Sequence, residues 1–174
     1  GSIMKTVVLL YDSSCIYEIV ILNYFLKVTG KDVVFVSPDG GTITAMEGYS
    51  IHTAGALIQI NPSDVELLIV PGGDITPIDK EDVWNYLRLV NQNHGLIAGI
   101  CAGVDVLEHA GLLDGIDSTH STVLDVVVCD NIITARANGY VDFAIETAKK
   151  LNLFEDEADL QETIAFWREF QRVE

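Results

Sequence analysis

A cysteine flanked by small residues carries the strongest chemical signal in the chain. Residues 99–103 read Gly-Ile-Cys-Ala-Gly, which is the G-x-S-x-G nucleophile-elbow pattern with Cys101 in place of serine. An apolar strand must turn sharply into a helix there, which holds Cys101 in a strained backbone conformation. The thiol would then stand at a helix N-terminus, where backbone N–H groups favour a thiolate. The alternative is a buried cysteine that packs as a small apolar side chain.

A single carboxyl group interrupts the very apolar stretch from Cys15 to Leu26. Only Glu18 and Asn23 are polar there. A helix this apolar is covered on most sides, so Glu18 is predicted to be at least partly buried. A buried carboxyl group must be hydrogen-bonded or protonated, and beside a thiol it could donate or accept a proton. The alternative is a glutamate in the first helical turn that faces solvent.

Two glycines and one histidine complete the candidate site. Gly72 and Gly73 end an apolar strand, so their backbone N–H groups could approach a ligand and form an oxyanion hole together with the N–H of Ala102. A generic Pro-Gly-Gly turn is the other interpretation of that segment. His120 is the candidate histidine, on the strength of the resemblance described below. The histidines have no H-x-x-x-H or H-x-H spacing, so no metal site is expected.

Apolar strands alternate with helical segments along the chain. Near-continuous apolar strands suit a parallel sheet covered on both faces, and their alternation with helices predicts a doubly wound α/β domain. Ligands on such sheets bind beyond the carboxyl ends of the strands, where residues 12–14, 71–74 and 101–103 fall. The predicted strands are 5–11, 32–37, 67–70, 96–100, 123–128 and 132–135, with short strands or a hairpin in 42–53; the predicted helices are 14–28, 81–92, 102–109 and 141–151, and a C-terminal amphipathic helix in 155–174 carries Leu160, Ile164, Trp167 and Phe170 on one stripe.

Length, charge and cysteine content limit the classes to which the chain can belong. Its 174 residues fit one domain, predicted over residues 4–174 and preceded by a cloning remnant at 1–3. A net charge of −16 argues against nucleic acid and anionic membranes as partners, and no apolar run is long enough for a membrane helix. The cysteines form no C-x-x-C pair and no secretory signal is visible, which predicts free thiols in the cytoplasm.

These motifs, in this order, resemble the ThiJ/PfpI (DJ-1) superfamily of the class I glutamine amidotransferase-like fold. The resemblance covers about residues 5–153. The matching residues are Glu18, Pro71 to Gly73, Ala98 to Gly103, Ala110 to Gly115, Thr119, His120 and Asn131 to Ala135. It implies a flavodoxin-like three-layer sandwich with a mostly parallel sheet, a cysteine nucleophile elbow and, commonly, a homodimer.

The resemblance also implies roles for the candidate residues. Cys101 looks like the nucleophile or oxidisable thiol, Glu18 like its carboxyl partner and His120 like the nearby histidine. The backbone amides of Gly73 and Ala102 look like the anion-binding donors. No cofactor or metal is implied, and the expected partners are a small-molecule substrate and a second copy of the chain.

Three functions are compatible with this resemblance. The favoured one is a cysteine-dependent enzyme of glyoxalase or deglycase type, in which Cys101 attacks a reactive carbonyl and Glu18 shuttles protons. The second is a non-catalytic redox or stress-response protein whose Cys101 is oxidised to a sulfinate. The third is an interaction domain with a vestigial site. Ala102 stands where protease-like members carry histidine, and Tyr17 where isocyanide hydratases carry an acidic residue, which argues against both of those activities.

Overall fold

The chain alternates strands and helices, as the sequence predicts. The computed structural model describes residues 4–173, so the predicted remnant at 1–3 lies outside the described residues. None of the described helices is long and apolar enough to cross a membrane. The strands are β1 (Lys5–Leu9), β2 (Asp32–Val36), β3 (Ile43–Thr44), β4 (Ser50–Ile51), β5 (Val65–Val70), β6 (Leu96–Ile100), β7 (Val126–Cys129) and β8 (Ile132–Ala135); the α-helices are α1 (Val20–Val28), α2 (Glu81–Gln92), α3 (Gly103–His109), α4 (Tyr140–Lys150) and α5 (Glu157–Trp167).

Six strands form the central sheet in the order β2-β1-β5-β6-β8-β7. All neighbours are parallel except β7, which runs antiparallel to β8. The parallel strands therefore follow the 2-1-3-4-5 order of flavodoxin-like folds. The segment predicted to hold short strands or a hairpin is the antiparallel pair β3–β4. The predicted flavodoxin-like architecture is confirmed.

The sheet is covered on both faces, which explains its continuous apolar strands. Successive residues of one strand enter opposite cores: Val7 packs with the α2 and α3 side, and Val8 with the α1 and α4 side. Leu68 and Ile69 of β5 divide in the same way. Burial of each such side chain contributes about 1.5–3 kcal/mol, so both faces of the sheet add to the stability of the fold.

Two predicted helices have different limits in the structure. The helix expected from residue 14 is a 3₁₀ turn at Ile16–Glu18 followed by α1, with a break at Ile19, whose φ is −122°. The last helix ends at Trp167, and Phe170 does not join its apolar stripe. Phe170 is 85% exposed and has a φ of 59°, so the chain has left the helical path before reaching it.

Candidate active site

Three segments converge at the carboxyl ends of β1, β5 and β6. Glu18 follows β1, Gly72 follows β5 and Cys101 follows β6, and these strands are neighbours in the sheet. The order of the strands reverses at β1 and β5, which is the position where flavodoxin-like folds bind ligands. Glu18, Gly72 and Cys101 therefore lie at the edge of the sheet where the sequence predicts the site.

Cys101 occupies a strained elbow between β6 and α3. Its φ is 56°, a left-handed conformation that is uncommon for a residue with a side chain. Its backbone N–H donates to the carbonyl of Ala135 at 2.9 Å, and its own carbonyl accepts from the N–H of Val104 at 3.1 Å. The residue is exposed. These observations confirm the elbow and contradict the alternative of a cysteine packed in the core.

Glu18 is buried against the elbow. The residue is 2% exposed, and its Oε1 accepts the Gly72 N–H at 2.8 Å. The carboxyl group also lies within hydrogen-bonding reach of the Cys101 thiol. Burial was the prediction for this residue, and the solvent-facing alternative is wrong.

Gly72 sits at the contact between the three segments. A Cβ placed on it would lie 2.8 Å from the Cβ of Cys101, 2.9 Å from the nitrogen of Ala102 and 3.0 Å from Oε1 of Glu18. Carbon atoms normally approach to about 3.5–4.0 Å. Glycine is therefore required here by space, and the close approach brings the carboxyl group to the thiol.

The thiol and the carboxyl group perturb each other. Burial raises the pKa of Glu18, although hydrogen bonds from Gly72 and Cys101 act in the opposite direction. Partial desolvation of the thiol beside Glu18, and then the negative charge of Glu18, raise the pKa of Cys101, while the backbone N–H of Ala102 lowers it. The net direction for the thiol is opposite to that expected from a helix N-terminus alone. A protonated Glu18 removes the charge that opposes the thiolate, so the two titrations are coupled.

The β3–β4 hairpin positions the segment that carries Glu18. Glu47, in the hairpin turn, accepts the N–H groups of Ile16 at 3.1 Å and Tyr17 at 2.8 Å. Asp12 accepts the N–H of Thr44 at 2.9 Å. The two bonds to Glu47 satisfy free N–H groups at the start of the 3₁₀ turn. The sequence contains no local signal for Glu47, because its partners lie in a distant segment.

A buried tyrosine fixes the strand end that carries the two glycines. The hydroxyl of Tyr11, which is buried, donates to the carbonyl of Pro71 at 2.6 Å. Gly73 has a φ of 149°, and a Cβ there would overlap the carbonyl of Ser13. Within residues 4–173 the N–H of Gly73 has no hydrogen-bond acceptor, so it is available to a ligand. The N–H of Ala102 faces the Cys101 sulfur.

His120 contacts two carboxylates of α3. Its Nε2 lies 3.1 Å from Oδ1 of Asp105, and its Nδ1 lies 3.2 Å from Oε2 of Glu108. Arg136 holds the preceding residue by donating to the carbonyl of Thr119 at 2.8 Å. In the described part of the chain no hydrogen bond joins His120 to Cys101. The catalytic role of His120 stays a prediction.

Among residues 4–173, the side chains of Asp105, Glu108 and His120 form the group that could hold a metal ion. One ligand atom from each of Asp105, Glu108 and His120 lies within 4.8 Å of the others. Both carboxylates are exposed, and both already contact the imidazole ring.

This fold and site define an α/β protein with a cysteine at a nucleophile elbow and a buried carboxyl partner. Residues 4–150 match the DJ-1/PfpI family. The chain belongs to the DJ-1/PfpI family.

Similar proteins and structures agree with this assignment. The chain is 26% identical over 123 residues to the deglycase TK1284 of Thermococcus kodakarensis, covering 70% of this chain and 74% of that protein. It is 30% identical over 100 residues to the deglycase PH1704 of Pyrococcus horikoshii, covering 56% of this chain and 60% of that protein. The structure of the DJ-1 superfamily protein Atu0886 from Agrobacterium tumefaciens superposes with a TM-score of 0.85 at 23% identity, covering 97% of this chain and 100% of that one. That structural likeness shows the fold alone.

Proposed function

We propose that the protein is a cofactor-independent enzyme of glyoxalase or deglycase type that acts on small reactive carbonyl compounds. The observation that carries this proposal is the exposed thiol of Cys101 on a strained elbow, held against the buried carboxyl group of Glu18. Archaeal relatives named deglycases support the class of reaction. The small-molecule substrate remains part of the proposal.

The chemistry needs one nucleophile and one group that moves protons. The Cys101 thiolate attacks the aldehyde carbon of a 2-oxoaldehyde, and the aldehyde oxygen receives a proton from Glu18, which gives a hemithioacetal. Glu18, now a carboxylate, removes the proton from that carbon as the ketone oxygen takes up a proton, which gives an ene-diol. Glu18 then returns its proton to the neighbouring carbon as the hydroxyl on the sulfur-bearing carbon loses its proton. The product is a thioester of a 2-hydroxy acid. Water cleaves the thioester, which releases the acid and restores the thiol.

The backbone and His120 have supporting roles in this proposal. The N–H groups of Gly73 and Ala102 stabilise the negative oxygen that develops when the thiolate attacks. His120, whose ring contacts Asp105 and Glu108, is assigned to substrate binding in this proposal. The charge of Asp105 contributes to raising the pKa of Cys101, which supports the nearness of this cluster to the sulfur.

The experiment is methylglyoxal turnover, followed as formation of lactate. Cys101→Ser and Glu18→Gln should each abolish turnover while the variants keep the wild-type melting temperature within a few degrees. Cys129→Ser is the matched control, because Cys129 lies at the end of β7 that pairs with the start of β8, away from the site. Equal rates for wild type and Cys101→Ser would refute the proposal.

Oxidation of the same thiol is the second candidate function. The buried Glu18, whose pKa is raised by its burial, can donate a hydrogen bond to a sulfinate oxygen on Cys101. Peroxide titration with mass mapping tests this. Selective oxidation of Cys101 at low peroxide, together with no turnover of methylglyoxal, would favour redox sensing over catalysis.

We also propose the predicted homodimer, with α1 as its contact surface. The side chains of Tyr17, Val20, Tyr24 and Val28 are exposed along the 3₁₀ turn and α1. Their spacing of three and four residues places them on one side of the chain. Sedimentation equilibrium of Val20→Glu against wild type tests this surface, and an unchanged molecular mass would contradict it.

A further inference from the structure

A second cysteine lies beside the elbow and has no part in the proposed reaction. Cys15 is the N-cap residue of the 3₁₀ turn that ends at Glu18. Glu18 follows Cys15 by three positions, and the backbone of Cys15 is extended where it enters the turn. Cys15 is only partly buried, and Cys101 is exposed.

Gly72 brings Cys15 and Cys101 to the same place. The backbone N–H of Cys15 donates to the carbonyl of Gly72 at 2.8 Å. On the other side of this glycine, a Cβ would lie 2.8 Å from the Cβ of Cys101 and 3.0 Å from Oε1 of Glu18. Gly72 therefore contacts the backbone of Cys15 and the side chain of Cys101, and the charge of Cys101 contributes to raising the pKa of Cys15. The negative charge of Glu18 acts on both thiols.

We propose that Cys15 is a resolving cysteine, which forms an intramolecular disulfide with Cys101 after a hydroperoxide has oxidised Cys101. The disulfide protects Cys101 from irreversible oxidation and blocks the site until a thiol reduces it. This proposal needs only that Cys101 is oxidisable, so it does not depend on the substrate of the enzyme.

The two steps balance with a hydroperoxide as the oxidant. The Cys101 thiolate attacks the terminal peroxide oxygen, the O–O bond breaks, and the alkoxide or hydroxide that leaves takes up a proton. Cys101 becomes a sulfenic acid. The Cys15 thiolate then attacks the Cys101 sulfur, the S–O bond breaks, and the departing hydroxide takes the proton that Cys15 gave up, which forms water and the disulfide.

The pH dependence of the second step follows from the surroundings of Cys15. Burial, and then the charge of Glu18, raise the pKa of the Cys15 thiol to about 11. The attacking species is the thiolate, so disulfide formation should accelerate about tenfold for each unit by which the pH rises towards that value. Reduction of the disulfide by an added dithiol restores both cysteines.

The experiment titrates the reduced full-length protein with hydrogen peroxide, followed by intact mass and non-reducing peptide mapping. Wild type and Cys129→Ser should lose two hydrogen masses and yield a peptide that links Cys15 to Cys101. Cys15→Ser should instead label with a sulfenic-acid probe at low peroxide and take up two oxygen atoms on Cys101 as the peroxide dose rises. Cys15→Ala is a second variant, and thermal unfolding of both variants checks that each is folded.

Three results would overturn the proposal. The first is sulfinate on wild-type Cys101 at the same peroxide dose as in Cys15→Ser. The second is a link between Cys15 and Cys101 of different chains, recognised because its yield depends on protein concentration. The third is Cys101 that stays reduced in every variant. Methylglyoxal turnover in the reduced state separates this proposal from the enzymatic one, because Cys15→Ser should retain it.

Discussion

Replacement of Gly72 by alanine should damage both the packing and the site. The backbone of Gly72 does not have a left-handed φ, so alanine is excluded by space alone. Its Cβ would lie 2.8 Å from the Cβ of Cys101, while ordinary carbon contacts are about 3.5–4.0 Å. The elbow must therefore move by about 0.7–1.2 Å relative to the new methyl group.

The displacement sets the expected magnitudes for Gly72→Ala. Overpacking of this kind lowers the free energy of unfolding by about 1–3 kcal/mol. In a protein of this length each kcal/mol lowers the melting temperature by about 2–4 °C. Movement of the reacting atom by about 1 Å should reduce kcat/KM for methylglyoxal by about 100-fold.

Chemical denaturation and the lactate assay measure the two effects of Gly72→Ala separately. Gly41→Ala is the matched control, because that glycine also lacks a left-handed φ, and its Cβ would meet only the side chain of Asp39. The control should remain within about 0.5 kcal/mol of wild type. If Gly72→Ala were as stable as the control and retained full turnover, the packing argument would be refuted.

Three further substitutions test individual contacts. Desolvation and then the charge of Glu18 raise the pKa of Cys101. Glu18→Gln should therefore lower the midpoint of the pH dependence of Cys101 alkylation. An unchanged midpoint would contradict the coupling between the two groups. Tyr11→Phe removes the donor from the buried carbonyl of Pro71 and should lower the free energy of unfolding by about 1–3 kcal/mol, measured in urea; a change near zero would mean that water replaces the hydroxyl. Thr147→Val should raise the free energy of unfolding by about 1 kcal/mol, because the Thr147 hydroxyl is buried with no hydrogen-bond partner among residues 4–173. A loss of stability would show that the hydroxyl does have a partner.

The fold could be predicted because its elements are local and its sheet is covered on both faces. Strands such as 67–70 and 96–100 are continuous apolar runs, and glycines mark their ends. The direction of β7 could not be predicted in this way. Its sequence, Val-Val-Val-Cys, is an apolar run like those of the parallel strands, and only its pairing with β8 shows that it is antiparallel.

The candidate site was predictable where one short segment contains the whole signal. The elbow at 99–103 encodes its own turn, because small residues flank Cys101 at a strand–helix junction. The burial of Glu18 followed from its apolar surroundings. The contribution of Glu47 could not be predicted, because hydrogen bonds between distant segments leave no local pattern.

The sequence by itself identified the family and the flavodoxin-like fold class, and it singled out the Cys101 thiol and the Glu18 carboxyl group as candidates. Only the tertiary structure decided where α1 begins, which carboxylates contact His120 and in which direction the pKa of Cys101 shifts. The reason is physical: apolar periodicity and turn residues act between neighbours in the chain. Charge, desolvation and close approach act through space. At Gly72 they act between Glu18 and Cys101, which are far apart in the sequence.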